Sequence, residues 1–110
     1  MPERRYRVQW SQVAVRDLEE IVAFIAADAP KAAARVLTDL ESRATTLGRH
    51  PDRGRLVPEL LHFGFRGWRE LVVAPYRIVY RIAGREVIVL AVFDGRRELS
   101  DVLLERLVRD

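Results

Sequence analysis

The sequence contains no cysteine, and this absence excludes several kinds of chemistry. A disulfide framework, a thiolate nucleophile and a zinc–thiolate site all require cysteine. Histidine is scarce as well, because His50 and His62 are the only two, and neither has a neighbouring ligand at helical or turn spacing. We therefore expect the chain to bind no metal and no cofactor.

Long hydrophobic runs are also lacking. The longest, Val87 to Phe93, has the length of a β-strand and falls far short of the roughly 20 residues that span a bilayer. The N-terminus opens with charged residues and leads into an amphipathic helix pattern, not into the apolar segment of a signal peptide. These features predict a cytoplasmic protein with no membrane association.

Lysine is nearly absent, since Lys31 is the only one among 19 basic residues and all the others are arginine. A genomic bias toward arginine codons is one explanation of that ratio, and a surface built for anion recognition is the other; codon bias does not explain the clustering. Residues 51–97 hold nine arginines against five acidic residues, whereas residues 98–110 hold two against four. Because guanidinium groups bind phosphates and carboxylates through paired hydrogen bonds, the clustering indicates an anion-binding surface.

The first half of the chain predicts one strand and two helices. Apolar and polar side chains alternate from Tyr6 to Trp10, as in a strand with one buried face. Ser11 is a suitable N-cap for a helix over 12–27, and Pro30 suits the first turn of a second helix that ends near Gly48. The two apolar stripes are Ala14, Leu18, Ile21, Ile25 and Ala33, Leu37, Leu40, Ala44, Leu47. The short connection predicts an antiparallel αα-hairpin.

Residues 50–67 contain several prolines and glycines and are predicted as a long surface loop. Two apolar pairs within it, Leu56-Val57 and Leu60-Leu61, indicate that part of this loop lies on the core. An arginine pair, Arg53 and Arg55, brackets Gly54.

Three strands follow and form a predicted antiparallel meander over 68–73, 76–82 and 87–93. The turns between them are Ala74-Pro75 and the Gly84-containing segment 83–86. In the second strand, alternation places Arg77 and Arg81 on one face. The third strand is apolar at every position, which is typical of a central strand covered on both faces. A short C-terminal helix is predicted after Ser100, with Leu99, Val102, Leu103 and Leu107 on one side.

The resulting order, βααβββα, belongs to the α+β class. We expect a single domain over 1–110, in which the αα-hairpin packs on a small, mainly antiparallel four-stranded sheet joined by a C-terminal helix. Arg77, Arg81, Arg96 and Arg97 would then share one surface that could bind phosphates or acidic side chains. The alternative is a solvated sheet face whose charges prevent edge-to-edge aggregation.

The segments Pro75-Tyr76-Arg77-Ile78-Val79-Tyr80-Arg81-Ile82, Asp94-Gly95-Arg96-Arg97-Glu98 and Pro51-Asp52-Arg53-Gly54-Arg55 together resemble the RelE/ParE superfamily of bacterial toxins. The resemblance covers nearly the whole chain in the same order of elements. It implies the toxin of a type II toxin–antitoxin module, of the kind associated with plasmid stabilization and growth inhibition. It also implies a cognate antitoxin as partner, and Ile21, Phe24 and Ile25 are candidate contacts for it wherever the sheet does not bury them.

One branch of that superfamily comprises ribosome-dependent endonucleases that cut mRNA. By position, Arg77 and Arg97 match the arginines that serve the phosphate in this branch. A tyrosine that holds the substrate there is replaced by Leu103, and Arg69 and Leu71 stand where such enzymes carry lysines. Arginine is a poor general base because it keeps its proton at accessible pH. Part of the nuclease apparatus is therefore missing.

The other branch inhibits DNA gyrase by binding and needs a presented surface, not a titrating group. The resemblance favours this ParE-like branch, with Arg77, Arg81, Arg96 and Arg97 as target-binding residues. Two alternatives stay open at this point: an mRNA endonuclease acting on the ribosome, and an inactive toxin-like scaffold or regulatory partner.

Overall fold

The computed structural model describes residues 5–96, in which two helices pack on one face of a five-stranded sheet. The strands are β1 (Arg7–Trp10), β2 (Arg55–Leu56), β3 (Arg69–Val73), β4 (Tyr76–Ala83) and β5 (Glu86–Asp94). The α-helices are α1 (Gln12–Ala26), α2 (Pro30–Thr45) and the short α3 (Pro58–His62), and a 3₁₀ turn (Thr46–Gly48) follows α2.

The sheet has the order β1-β5-β4-β3-β2, with β1 parallel to β5 and the other pairings antiparallel. The predicted α+β class is confirmed, but the predicted number of four strands is wrong. The extra strand is β2, which pairs with β3 through only two residues and is too short to show a period-two pattern. The sheet is mixed because β1 runs parallel to β5.

The predicted αα-hairpin is confirmed. The Oγ of Ser11 accepts a hydrogen bond from the backbone N–H of Ala14 at 3.1 Å, which caps α1, and α2 begins at Pro30 as expected. The helical stripes bury Ala14 and Leu18 from α1, and Leu40 and Ala44 from α2, against the inner face of the sheet; we call this the helix face. Apolar burial on this face supplies most of the core.

A β-bulge in β5 lets this strand fill both faces of the sheet. Val79 of β4 pairs with Ala91, but Tyr80 pairs with Val89, so Leu90 is an extra residue. Before the bulge, Val87 and Val89 belong to the core on the helix face. After it, Ala91 and Phe93 belong to a separate cluster on the opposite face, which we call the second face. The prediction that this strand is covered on both sides is confirmed.

Helix α1 and its N-cap residue Ser11 form hydrogen bonds with backbone groups around this bulge. The N–H of Ser11 donates to the carbonyl of Val89 at 2.9 Å, and the N–H of Val92 donates to Oδ2 of the buried Asp17 at 3.0 Å. Because an unpaired buried amide is costly, these bonds stabilise the irregular strand.

The predicted surface loop over 50–67 is more ordered than expected, because it contains β2 and α3. Pro58 occupies the first turn of α3, and Val57 and Leu60 are buried against Val79, Ala91 and Phe93 on the second face. The expectation that part of this segment lies on the core is confirmed. The helix predicted after Ser100 lies outside the described residues, as do Arg97 and Leu103. Within residues 5–96, no helix is long and apolar enough to cross a membrane.

Candidate functional site

The second face carries a buried ion-pair cluster centred on Arg77. This residue is only 8% exposed, and its guanidinium lies 5.7 Å from the centre of the Phe93 ring. Its Nη1 and Nη2 donate to the two carboxylate oxygens of Glu59 at 2.8 and 2.9 Å, and its Nε donates to Oε1 of Glu70 at 2.7 Å. A further contact joins Nη2 to the same Glu70 oxygen. All three guanidinium nitrogens of Arg77 are therefore occupied by carboxylates.

Glu70 is the most deeply buried member of this cluster, because its side chain has no exposed area. Besides Arg77, it accepts a hydrogen bond from Nε of Arg55 at 2.7 Å. The register of β3 and β4 explains why Glu70 contacts Arg77. Glu70 and Val72 share one face of β3, and Val72 lies opposite Arg77. Glu59 reaches the cluster from α3. A buried charge is tolerated only when it is paired and hydrogen-bonded, and both glutamates meet that condition.

The pairing shifts the ionisation of both partners. The hydrogen bond from Arg77 is the largest influence on Glu59 and holds the pKa of this carboxyl below its ordinary value. Burial by itself would lower the pKa of Arg77, but the hydrogen bonds to Glu59 and Glu70 outweigh burial and raise it. Glu59 and Arg77 are therefore both ionised at neutral pH.

The structure gives the predicted arginines separate surroundings. The sequence predicts that Arg77 shares an anion-binding surface with Arg81, but Glu59 of α3 and Glu70 pair with Arg77, which is buried. Arg81 is exposed, with its guanidinium 5.9 Å from the centre of the Trp68 ring. Arg96 is exposed and donates from Nε to Oδ1 of Asp94 at 2.9 Å. Their role in target binding stays a prediction, and so does that of Arg97.

A second polar network holds the turn Pro51–Arg55. The Tyr80 hydroxyl donates to the carbonyl of Pro51 at 2.7 Å and accepts from the N–H of Gly54 at 2.9 Å. Nη1 of Arg69 donates to the carbonyl of Gly54 at 2.7 Å. Burial of the ring is the main reason that the pKa of Tyr80 is raised, so its hydroxyl stays protonated.

A groove of about 300 Å³ runs beside α1. The helix contributes Ile21, Phe24 and Ile25, and the ends of β4 and β5 contribute Tyr76 and Phe93. Phe24 is 84% exposed, whereas Ile21 and Ile25 are half-buried. Its acidic and basic lining residues are Asp17, Glu20, Asp94 and Arg96. This groove is a second candidate contact site.

Sequence reasoning missed Glu59, Glu70 and the hydroxyl of Tyr80. The available signals were Glu70 on the same face of its strand as Val72, and Glu59 directly after a proline that could start a helix. Neither signal alone says which charge it meets. His50 and His62 are both exposed, and residues 5–96 contain no group of three His, Cys, Asp or Glu residues that could hold a metal ion.

Known proteins share both the sequence pattern and the fold. Residues 8–99 match the family model described as ParE toxin of type II toxin-antitoxin system, parDE. Y4kP of Sinorhizobium fredii, whose name assigns it provisionally to the toxins, is 39% identical over 101 residues, covering 90% of this chain and 98% of the relative.

Toxin RelE2 of Caulobacter vibrioides is 38% identical over 78 residues, covering 70% of this chain and 81% of the relative. Among solved structures, the chromosomal ParDE toxin–antitoxin system of P. aeruginosa contains a chain that superposes with a TM-score of 0.67 at 20% identity. That match covers 83% of this chain and 97% of the other. At this identity the likeness concerns the fold.

Proposed function

Since the chain belongs to the ParE toxin family of type II toxin–antitoxin systems, within the RelE/ParE superfamily, we propose that it arrests growth by binding DNA gyrase and not by cutting RNA. The observation that carries this proposal is the commitment of Arg77 to Glu59 and Glu70. A gyrase-directed toxin acts in the cytoplasm, which is where we propose that this chain works.

RNA cleavage needs cations that face the scissile phosphate, together with groups that move protons. Arg77 is the positional match to a phosphate-binding arginine, but a phosphate would have to displace the carboxylate of Glu59. It would then lie close to the carboxylates of Glu59 and Glu70, and like charges at that distance repel. The arginine therefore serves the fold.

The two positions at which RelE-like enzymes carry lysines also have structural roles in this chain. Arg69 donates to the carbonyl of Gly54, and Leu71 is buried in the core on the helix face. Neither can deliver or accept a proton beside Arg77. A binding function needs none of these groups, because it requires only a presented surface.

We propose that Arg81 belongs to that surface. It is exposed, it lies over the half-buried Trp68, and arginine and tryptophan are enriched among residues that dominate binding energy at interfaces. Arg96 and Arg97 remain proposed contacts on the same grounds of charge.

We also propose a cognate antitoxin that uses the groove beside α1. Phe24 leaves most of its ring exposed there, between the half-buried Ile21 and Ile25. An amphipathic helix from a partner could insert apolar side chains into such a groove. The type II family supports the existence of this partner, and the groove is our proposal for its location.

A ribosome-dependent mRNA endonuclease is the second candidate, favoured by the 38% identity to a relative named RelE2. Purified toxin decides between the two in parallel assays: gyrase supercoiling with trapping of cleaved DNA, and integrity of mRNA on translating ribosomes. We expect inhibited supercoiling with intact message. Cut message with unaffected supercoiling would contradict the proposal, and inactivity in both assays together with normal growth would favour an inactive scaffold.

A matched pair of variants connects the assay to the surface. Arg81→Ala is expected to weaken gyrase inhibition about tenfold, as loss of a central interface arginine commonly does. Arg35→Ala removes another exposed arginine, from α2, and is expected to leave inhibition unchanged. Equal inhibition by both variants would exclude Arg81 from the contact.

A further inference from the structure

The turn Pro51–Arg55 is fixed by groups that come from distant parts of the chain. We propose that it is a preformed contact element, held by Tyr80, through which the toxin binds an acidic surface of its protein target. This inference rests on the proposed function, because it names where and with what chemistry the toxin meets that target.

The Tyr80 hydroxyl forms the base of the turn. The Tyr80 side chain is fully buried in the sheet, yet its hydroxyl both donates to the carbonyl of Pro51 and accepts from the N–H of Gly54. Arg69 adds a bond to the carbonyl of Gly54, and the N–H of Arg53 donates to the carbonyl of His50 at 3.1 Å. The backbone of the turn is thereby anchored at both ends.

Gly54 makes this close approach possible. A Cβ atom at this position would lie 2.5 Å from the backbone oxygen of Glu70 and 2.6 Å from the Tyr80 hydroxyl oxygen. Both distances are below any normal contact, so only glycine lets the turn lie this close to the sheet. A turn held in one conformation loses little entropy when it binds, and this favours affinity.

The turn presents charge on its outer side. Arg53 is exposed, and no hydrogen bond or ion pair involves its guanidinium within the described part of the chain. Arg55 uses Nε on Glu70, but its side chain is 60% exposed, and its Nη1 and Nη2 form no hydrogen bond within residues 5–96. Two guanidinium groups are therefore available to a partner, and both are suited to paired bonds with carboxylates.

The exposed Asp52 decides between two classes of partner. Asp52 precedes Arg53 in the chain and is exposed like it, so its carboxylate would repel a continuous phosphate backbone bound at the turn. A protein surface can offer carboxylates to the arginines and a donor to Asp52, so mixed charge is complementary to a protein. The pattern thus favours an acidic protein surface over a nucleic acid.

The test compares charge reversals during induction of the toxin without an antitoxin. Arg53→Glu is expected to raise the number of surviving cells at least about tenfold, because it places a carboxylate against an acidic partner. Arg53→Lys keeps the charge and should remain toxic. Arg35→Glu makes the same charge change on the exposed side of α2 and should kill like the original chain.

Tyr80→Phe tests the anchoring itself, since it keeps the buried ring and removes both hydroxyl bonds. We expect it to stay folded by circular dichroism while its toxicity falls, and Tyr80 acts here as a positioning residue. Arg53→Glu is expected to fold normally, because the Arg53 side chain makes no contact on which the fold depends. Full toxicity of both Arg53→Glu and a folded Tyr80→Phe would overturn the inference.

Separate readouts distinguish this inference from the proposed target. If the unmodified chain arrests growth but does not inhibit supercoiling, gyrase is not the target. The effect of Arg53→Glu on growth then still tests whether the turn contacts the target. If the purified chain binds a labelled DNA duplex, DNA single strand or RNA and Arg53→Glu abolishes that binding, the partner is a nucleic acid and the inference is overturned. A chain that never affects growth would overturn both proposals.

Discussion

The carboxylate of Glu59 and the guanidinium of Arg77 form a two-point ion pair, with distances of 2.8 Å from Nη1 to Oε2 and 2.9 Å from Nη2 to Oε1. The pair joins the short helix α3 to strand β4 across the second face of the sheet. Arg77, which the sequence offers as a phosphate-binding residue, thus connects α3 to β4 instead. This relationship supplies the first prediction.

Glu59→Gln should lower the free energy of unfolding by about 1 kcal/mol at pH 7, because the amide is uncharged and keeps only one oxygen that can accept from the charged Arg77. The pKa of Glu59 in the folded state lies below its ordinary value of 4.5. Its contribution is therefore fully present above about pH 4.5 and is lost as the pH falls through the lower, folded-state pKa.

Denaturant unfolding of the original chain and Glu59→Gln across acidic pH checks this prediction. The difference between their free energies of unfolding should be constant near neutral pH and should shrink below about pH 4.5. Glu19→Gln, on the exposed side of α1, is the control and should show no such dependence. A difference that widens on acidification would contradict the ion pair.

Gly54→Ala should destabilise the fold by about 1–3 kcal/mol, as overpacking of a tight contact does. The reason is the 2.5 Å approach of its ideal Cβ to the backbone oxygen of Glu70, which cannot move aside like a flexible side chain. Gly67→Ala is the matched control, because nothing lies within 4 Å of its ideal Cβ. Thermal unfolding should separate the two variants, and equal melting temperatures would mean that the turn is not held as described.

Asp17→Ala should cost about 1–3 kcal/mol, because it leaves the buried N–H of Val92 without its carboxylate partner. Asp17→Asn keeps an oxygen that can accept the same bond and should cost less. Hydrogen exchange at the Val92 amide reports the contact directly, and it should accelerate in Asp17→Ala more than in Asp17→Asn. Unchanged exchange in both variants would mean that α1 does not stabilise the bulge through Asp17.

Phe24→Ala should leave the free energy of unfolding within about 0.5 kcal/mol of the original, because the ring is largely exposed. It should nevertheless weaken binding of the antitoxin about tenfold or more, measured by titration with the protein encoded beside the toxin. Val15→Ala removes another exposed apolar side chain from α1, outside the groove, and should bind normally. Normal binding by Phe24→Ala would place the antitoxin elsewhere.

The helices and the meander could be predicted because their signals are local. Ser11 and Pro30 mark the helix starts, and unbroken apolarity from Val87 to Phe93 marks a strand that is buried on both faces. The parallel pairing of β1 with β5 could not be predicted, because the register joins residues as distant as Arg7 and Glu86. No local preference encodes such a pairing.

The site was less predictable than the fold, for a physical reason. Alternation places Arg77 and Arg81 on one face of β4, and nothing in the strand distinguishes them. The difference arises because α3 covers one end of the second face, where its Glu59 pairs with Arg77, and Arg81 is left exposed. A five-residue helix between prolines and glycines has too little periodicity to be recognised from sequence.

Gyrase binding is tested most directly by the order in which DNA synthesis and translation stop after induction without antitoxin. Pulse-labelling of DNA and protein in the same culture gives both rates. If the chain acts by binding gyrase, DNA synthesis should fall first while mRNA stays intact. Protein synthesis falling first, with message cut on ribosomes, would contradict gyrase binding as the cause of growth arrest and would give Arg77 a catalytic role.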